Sequence, residues 1–177
     1  KYKSIVWLAF MIAFFNQLSG INFILYYAPE ILERAGLAAK ESLFNSIAIG
    51  GTNLVFTFVG LYLIDKAGRK TLLIIGSLGY LLSLSLVAWA FYSHASPGFL
   101  LIFLLLFIAA HAIGQGAVIW VFISEIFPNK IRAMGQSFGA SIHWVFAALI
   151  TLLTPVFLDK DKGILKDDPW KIFAFFA

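Results

Sequence analysis

Cysteine is absent from this sequence, which excludes disulfides, thiolate metal ligands and thiol nucleophiles and leaves the redox compartment unmarked. Charge is scarce: Asp, Glu, Lys and Arg make up 12% of the 177 residues, against 61% hydrophobic. The mean hydropathy of +0.91 is far above what a soluble domain tolerates. All the carboxylates, Glu30, Glu33, Glu41, Asp65, Glu125, Asp159, Asp161, Asp167 and Asp168, lie between apolar blocks or at their ends. No acid sits in mid-block to carry a proton or assist hydrolysis. A phosphate-cradling glycine loop, a nucleophile elbow and a paired-histidine zinc helix are also missing, so the expectation is a protein with no cofactor, no metal and no enzymatic activity.

What is present is a series of apolar blocks of roughly 20 residues, the length at which a helix crosses ~30 Å of hydrocarbon. Five are complete, at 4–28, 42–64, 71–92, 98–123 and 134–158, and a sixth begins at 170 and reaches only 177. Eight residues of helix rise ~12 Å, less than half a bilayer, so the sixth span is expected to be truncated. The first block runs past the length of a signal peptide, contains Asn16, Gln17 and Asn22, and has no convincing cleavage site, so it reads as a span. The fold class that follows is an all-α, multi-pass integral membrane protein with the lipid bilayer as solvent. The formal charge of +4 does not indicate nucleic acid, because the cations sit at block ends, where they set membrane orientation.

Alternation of spans puts Lys1, Lys3, Lys66, Arg69, Lys70, Lys130 and Arg132 on one side of the membrane, seven cations. Arg34, Lys40, Lys160, Lys162, Lys166 and Lys171, six cations, lie on the other. The totals nearly balance, but the short connectors at 65–70 and 128–133 carry five cations and the one at 93–97 carries none. Short-loop cations face the cytoplasm, which places the N-terminus there.

Six spans divide into two triplets, the inverted-repeat pattern of transporters, in which interrupted helices line the site. The spans that lead each triplet are the interrupted ones: Asn16-Gln17-Leu18-Ser19-Gly20-Ile21-Asn22 in the first and Gly114-Gln115-Gly116 in the fourth. Close helix packing is the alternative use of such glycines. Amides are costly in hydrocarbon unless they face a cavity or a neighbour, which singles out Asn16, Gln17, Asn22, Asn53 and Gln115. Amides that donate and accept, with aromatic faces from Trp120, Trp144, Tyr26 and Tyr27, suit an uncharged polyol. For the tyrosines, a place in the interfacial aromatic belt is an equal alternative. Gln136, Ala140, His143, Ala147 and Thr151 follow helical spacing and form a small, polar stripe. His143, like His111, has no nearby acid of the kind that orients a catalytic or metal-bound imidazole. Gln17 and Asn22 lie five positions apart, about 140° around a regular helix, so an unwinding near Gly20 is needed to bring both to one ligand.

Asn16 through Asn22 followed by Tyr26-Tyr27 resembles the seventh-helix signature of the sugar porter family of the major facilitator superfamily. Asp65-Lys66-Ala67-Gly68-Arg69-Lys70 is similar to that superfamily's loop between helices eight and nine. Gly114 to Trp120, then Ser124-Glu125-Ile126-Phe127-Pro128 and Arg132, is similar to the tenth-helix motif and the loop after it. The resemblance implies that residues 1–177 are the C-terminal transmembrane half, a six-helix bundle running from helix seven into a truncated helix twelve. It implies monosaccharide transport, of a hexose or a pentose, by alternating access in the cell membrane, with an N-terminal six-helix half as a further partner and protons as another if the transporter is a symporter rather than a facilitator. A transporter-like sugar sensor is the rival class. By position, Gln17, Asn22, Asn53 and Trp120 match sugar contacts, and Tyr26 and Trp144 match cavity aromatics. Asn16 stands where the family usually has a second Gln, and His143 where Asn or Gln is common, so both bear on which sugar fits. Asp65, Arg69, Glu125 and Arg132 match a cytoplasmic charge gate, with Asp65 either joining it or capping the next helix.

Overall fold

The computed structural model describes residues 2–159 and 162–177. Lys1, Lys160 and Asp161, among them two cations of the orientation count, lie outside the described residues. Five helical stretches are long and apolar enough to cross a membrane: Lys3–Tyr26, Ala39–Ala67, Arg69–Tyr92, Pro97–Ile126 and Asn129–Leu158. They fall on the five complete blocks read from the sequence. Large apolar side chains such as Phe44, Ile47, Leu78, Leu82 and Leu152 are 63–74% exposed on their outer faces. A water-soluble fold does not leave so many uncovered, and lipid does not penalise them.

The first stretch is broken. Helix α1 (Lys3–Leu18) stops at Ser19, Gly20 takes a left-handed conformation at φ +74°, and α2 (Ile21–Tyr26) restarts beyond it. A third short helix, α3 (Ala28–Arg34), occupies the first part of what the sequence pattern assigned to a connector. Pro29 in its first turn is pre-set for helix, and burial of Ile31 and Leu32 holds the turn against the bundle. Helices α4 (Ala39–Ala67) and α5 (Arg69–Tyr92) are joined by the single residue Gly68.

The fourth stretch is α6 (Pro97–His111), a π-helical turn (Ala112–Gly116) and α7 (Val118–Ile126). Such turns insert one residue into a helix and recur at functional sites. Gly114 in this turn meets Gly76 of α5 so closely that a Cβ on either would lie 2.5 Å from the other's Cα. This crossing brings Gln115 to Ser77, and Gln115 Nε2 donates to Ser77 Oγ at 2.8 Å. After a 3₁₀ turn (Asn129–Ile131) come α8 (Arg132–Leu158) and α9 (Trp170–Phe176).

The main core gathers Phe23, Ile24, Ile31, Leu32, Leu84, Val87, Leu104, Phe107 and Phe173, so it lies towards the end of the bundle where α2, α3 and α9 meet α5 and α6. A second cluster, Ala9, Ala13, Ile119, Ile123 and Phe127, ties α1 to α7 with Phe138 and Ile142 of α8 packed against it. The two interrupted helices are therefore neighbours, packed together where α1 meets α7.

Candidate functional site

Ser19 begins the break in α1. Its Oγ donates to the Asn16 carbonyl at 2.6 Å, a bond that competes with continuing the helix. Gly20 then accepts a backbone angle that costs other residues ~1–2 kcal/mol. The chain restarts with Asn22 rotated towards Gln17, and Asn22 Nδ2 donates to Gln17 Oε1 at 2.8 Å. The expected unwinding occurs at the expected residue, and the two amides that a regular helix would hold apart are in direct contact.

The Gln17 amide is the hub. Its Nε2 donates to Asn16 Oδ1 at 3.1 Å and lies 3.0 Å from both ring nitrogens of His143, so it serves whichever carries the lone pair. His143 packs on the Trp120 ring at 4.8 Å between centroids and meets Trp144 edge-on at 5.3 Å. Gln17 is fully buried and Asn16 nearly so, while Asn22, Trp120 and His143 are half-buried at the edge of the cluster. Helices α1, α2, α7 and α8 thus present amides, an imidazole and an indole face in one place. Such a lining hydrogen-bonds hydroxyls in both directions and packs against the C–H face of a ring.

The remaining candidates are distributed differently. Asn53 is half-buried on α4, and its amide takes no part in this hydrogen-bonded cluster among the described residues. Tyr26 and Trp144 are 59% exposed. Tyr27 is the tyrosine turned inward, with its hydroxyl donating to the Thr151 carbonyl of α8 at 3.0 Å. Which of two adjacent tyrosines turns inward depends on the helical phase after Gly20, which spacing across a break does not give. On the far side of α1, Asn16, Ser77, Tyr80 and Gln115 line a pocket of about 220 Å³. Asn16 Nδ2 is buried there without a partner among the described residues.

At the opposite end, Arg69 grips Glu125 with a two-pronged contact, Nη2 to Oε1 at 2.9 Å and Nε to Oε2 at 3.1 Å. Arg69 Nη1 also reaches Asp65 Oδ1 at 3.2 Å and the Ile64 carbonyl at 3.2 Å. Asp65 therefore joins the network. It does not cap α5, whose N-cap position is Gly68 with no side-chain bond. Arg132 is exposed at the start of α8, directly after the 3₁₀ turn, and forms no ion pair among the described residues.

Comparison with known sequences decides the family. The sequence model of the sugar (and other) transporter family matches residues 1–177. The chain belongs to that family. Among relatives of the sugar transporter family, the D-xylose-proton symporter of Escherichia coli K12 is 36% identical over 88% of this chain and 31% of its own length. The arabinose-proton symporter of Bacillus subtilis is 35% identical over 84% of this chain and 32% of its own. In space, the proton:xylose symporter XylE bound to 6-bromo-6-deoxy-D-glucose superposes with a TM-score of 0.85 at 32% identity, covering 97% of this chain and 36% of XylE. The inward-open form of XylE from E. coli gives a TM-score of 0.78 over the same share of both chains. The chain thus spans about a third of the length of the sugar transporters it matches and shares the all-helical membrane fold of a major facilitator superfamily transporter. These relatives are transporters, not enzymes.

Proposed function

We propose that this chain is one helical bundle of a monosaccharide transporter that works by alternating access, and that its sugar site lies where α1–α2 meets α7 and α8. The observation that carries the reading is the Gly20 break, which sets Asn22 and Gln17 2.8 Å apart with His143 and the Trp120 face beside them. Gln17, Asn22 and Trp120 are the principal sugar contacts. Asn16, Asn53, Tyr26, His143 and Trp144 complete the lining when a second six-helix bundle closes over it. That second bundle supplies the other half of the cavity and any proton-coupling carboxylate. Relatives named for xylose, arabinose and glucose support a pentose or hexose.

Arg69, Glu125 and Asp65 act as a charge gate on the cytoplasmic side, where the N-terminus also lies. Saturable binding of D-xylose or D-glucose to the complete transporter in nanodiscs, weakened by Trp120→Ala, tests the site. Flux through the complete transporter in proteoliposomes, with and without a pH gradient, tests transport and coupling. A cysteine at Lys66 should be labelled only from the cytoplasm and one at Ser96 only from outside. Absence of any saturable sugar binding overturns the site, and reversed labelling overturns the orientation.

A further inference from the structure

Two cavities meet at the end of the bundle far from Arg69 and Glu125. One, of about 520 Å³, is a groove between α5 and α9 lined by Ser85, Ala88, Trp89 and Ala174. The other, of about 590 Å³, is polar and lined by Glu33, Arg34, His94, Lys166, Asp167 and Asp168. Tyr92 and Trp170 line both, so the two cavities adjoin at this aromatic pair. The rings meet edge-on at 5.5 Å. Trp170 Nε1 donates to Asp168 Oδ1 at 3.2 Å, and Lys171 pairs with the same carboxylate at 2.6 Å, which fixes the indole at the junction.

The groove follows α5 from Tyr92 to Ser85, about 10 Å of helix, on a face that looks into lipid. Aromatic residues of this kind settle at headgroup depth. The polar cavity therefore lies in the headgroup layer directly above an acyl-sized groove.

The charges in the polar cavity discriminate between headgroups. Two N–H groups of Arg34 are committed to the Leu158 and Lys166 carbonyls, and a guanidinium has others to offer a phosphate. Burial pushes Arg34 below its ordinary value, and the Asp159 carboxylate beside it offsets part of that shift. Asp167 is exposed and holds no ion pair among the described residues, which leaves it for a cation. Three acids and two permanent cations around one cavity repel a purely anionic headgroup and accept one that carries both signs. A primary ammonium donates hydrogen bonds to a carboxylate, whereas a trimethylated one cannot.

We propose that this double cavity is a binding site for phosphatidylethanolamine, with the phosphate at Arg34, the ammonium at Asp167 and one acyl chain in the α5–α9 groove beneath Trp170. The test is native mass spectrometry of the delipidated chain in detergent, titrated with phosphatidylethanolamine, phosphatidylcholine and phosphatidylglycerol of identical acyl chains. Phosphatidylethanolamine should form its adduct at about fivefold lower concentration than the other two, the order that one exposed charge contact supplies. Asp167→Asn should abolish that preference, and Ala174→Trp, which fills the groove from an exposed position, should weaken all three adducts. Thermal unfolding of both variants shows that they remain folded. Equal retention of the three lipids, or a phosphatidylethanolamine adduct unaffected by either substitution, overturns the site.

Discussion

Asn22 donates to Gln17 across the break in the first membrane span, at 2.8 Å and five residues away, where an unbroken helix would hold the two side chains about 140° apart. The contact exists because Gly20 stands at φ +74° between them. Gly20→Ala should therefore act on folding and on the site together. The left-handed angle costs ~1–2 kcal/mol with a side chain present, and the new Cβ would lie 2.7 Å from the Phe176 ring, which must shift. A fall in Tm of about 2–8 °C is expected, with weaker sugar binding, measured on the same nanodisc sample. A variant with unchanged Tm and affinity would show that the break persists without glycine.

Removing the hub should cost more than removing the stacking face. Gln17→Ala leaves the buried Asn16 Oδ1 without its donor and the half-buried Asn22 Nδ2 and His143 ring without their shared partner, an expected loss of ~1–3 kcal/mol in stability. Trp120→Ala removes an aromatic surface worth ~0.5–1.5 kcal/mol and should spare most of the stability while weakening sugar binding several-fold. Paired unfolding and binding titrations separate the two effects. Wild-type affinity in both variants would place the sugar elsewhere.

At the charge network, Glu125→Gln and Arg132→Gln should behave differently. Glu125 holds both prongs of Arg69, so its neutralisation should shift the complete transporter towards the inward-facing form by up to about fivefold, less at high salt. Arg132, which has no ion pair among the described residues, should shift nothing. Accessibility labelling of cysteines on the cytoplasmic side reads both. Equal responses would mean that Arg132 enters the network in another conformation.

A pH prediction follows from Asp168. Hydrogen bonds from Lys171 and then Trp170 hold its carboxyl below the usual carboxylate range. A lowered value in the folded state gives stability that is present above the ordinary value and is lost as pH falls through the folded one. The Trp170 indole N–H signal in ¹⁵N spectra should therefore be unchanged from neutral pH down past the ordinary carboxylate range and move only in stronger acid. Asp168→Asn should remove that acid transition, and a shift of the wild-type signal near pH 6 would contradict the assignment.

The sequence by itself determined the solvent, the spans and the family. Apolar blocks of membrane length admit few other folds, and the residues around Asn16, Asp65 and Gly114 carry the resemblance that the family match bears out. It also located the break, because Gln17 and Asn22 can face one ligand only if the helix unwinds near Gly20. The tertiary structure decided which side chains meet. His143 is distant in sequence from Gln17 yet touches it, because packing of Ala9 and Ala13 against Ile119 and Ile123 brings α1 and α7 together and sets α8 alongside. The inward turn of Tyr27, the π-helical form of the fourth-span interruption and the exclusion of Arg132 from the charge network arose in the same way. Periodicity gives the phase within a continuous helix, and each break resets that phase by an angle that only contacts with other helices fix.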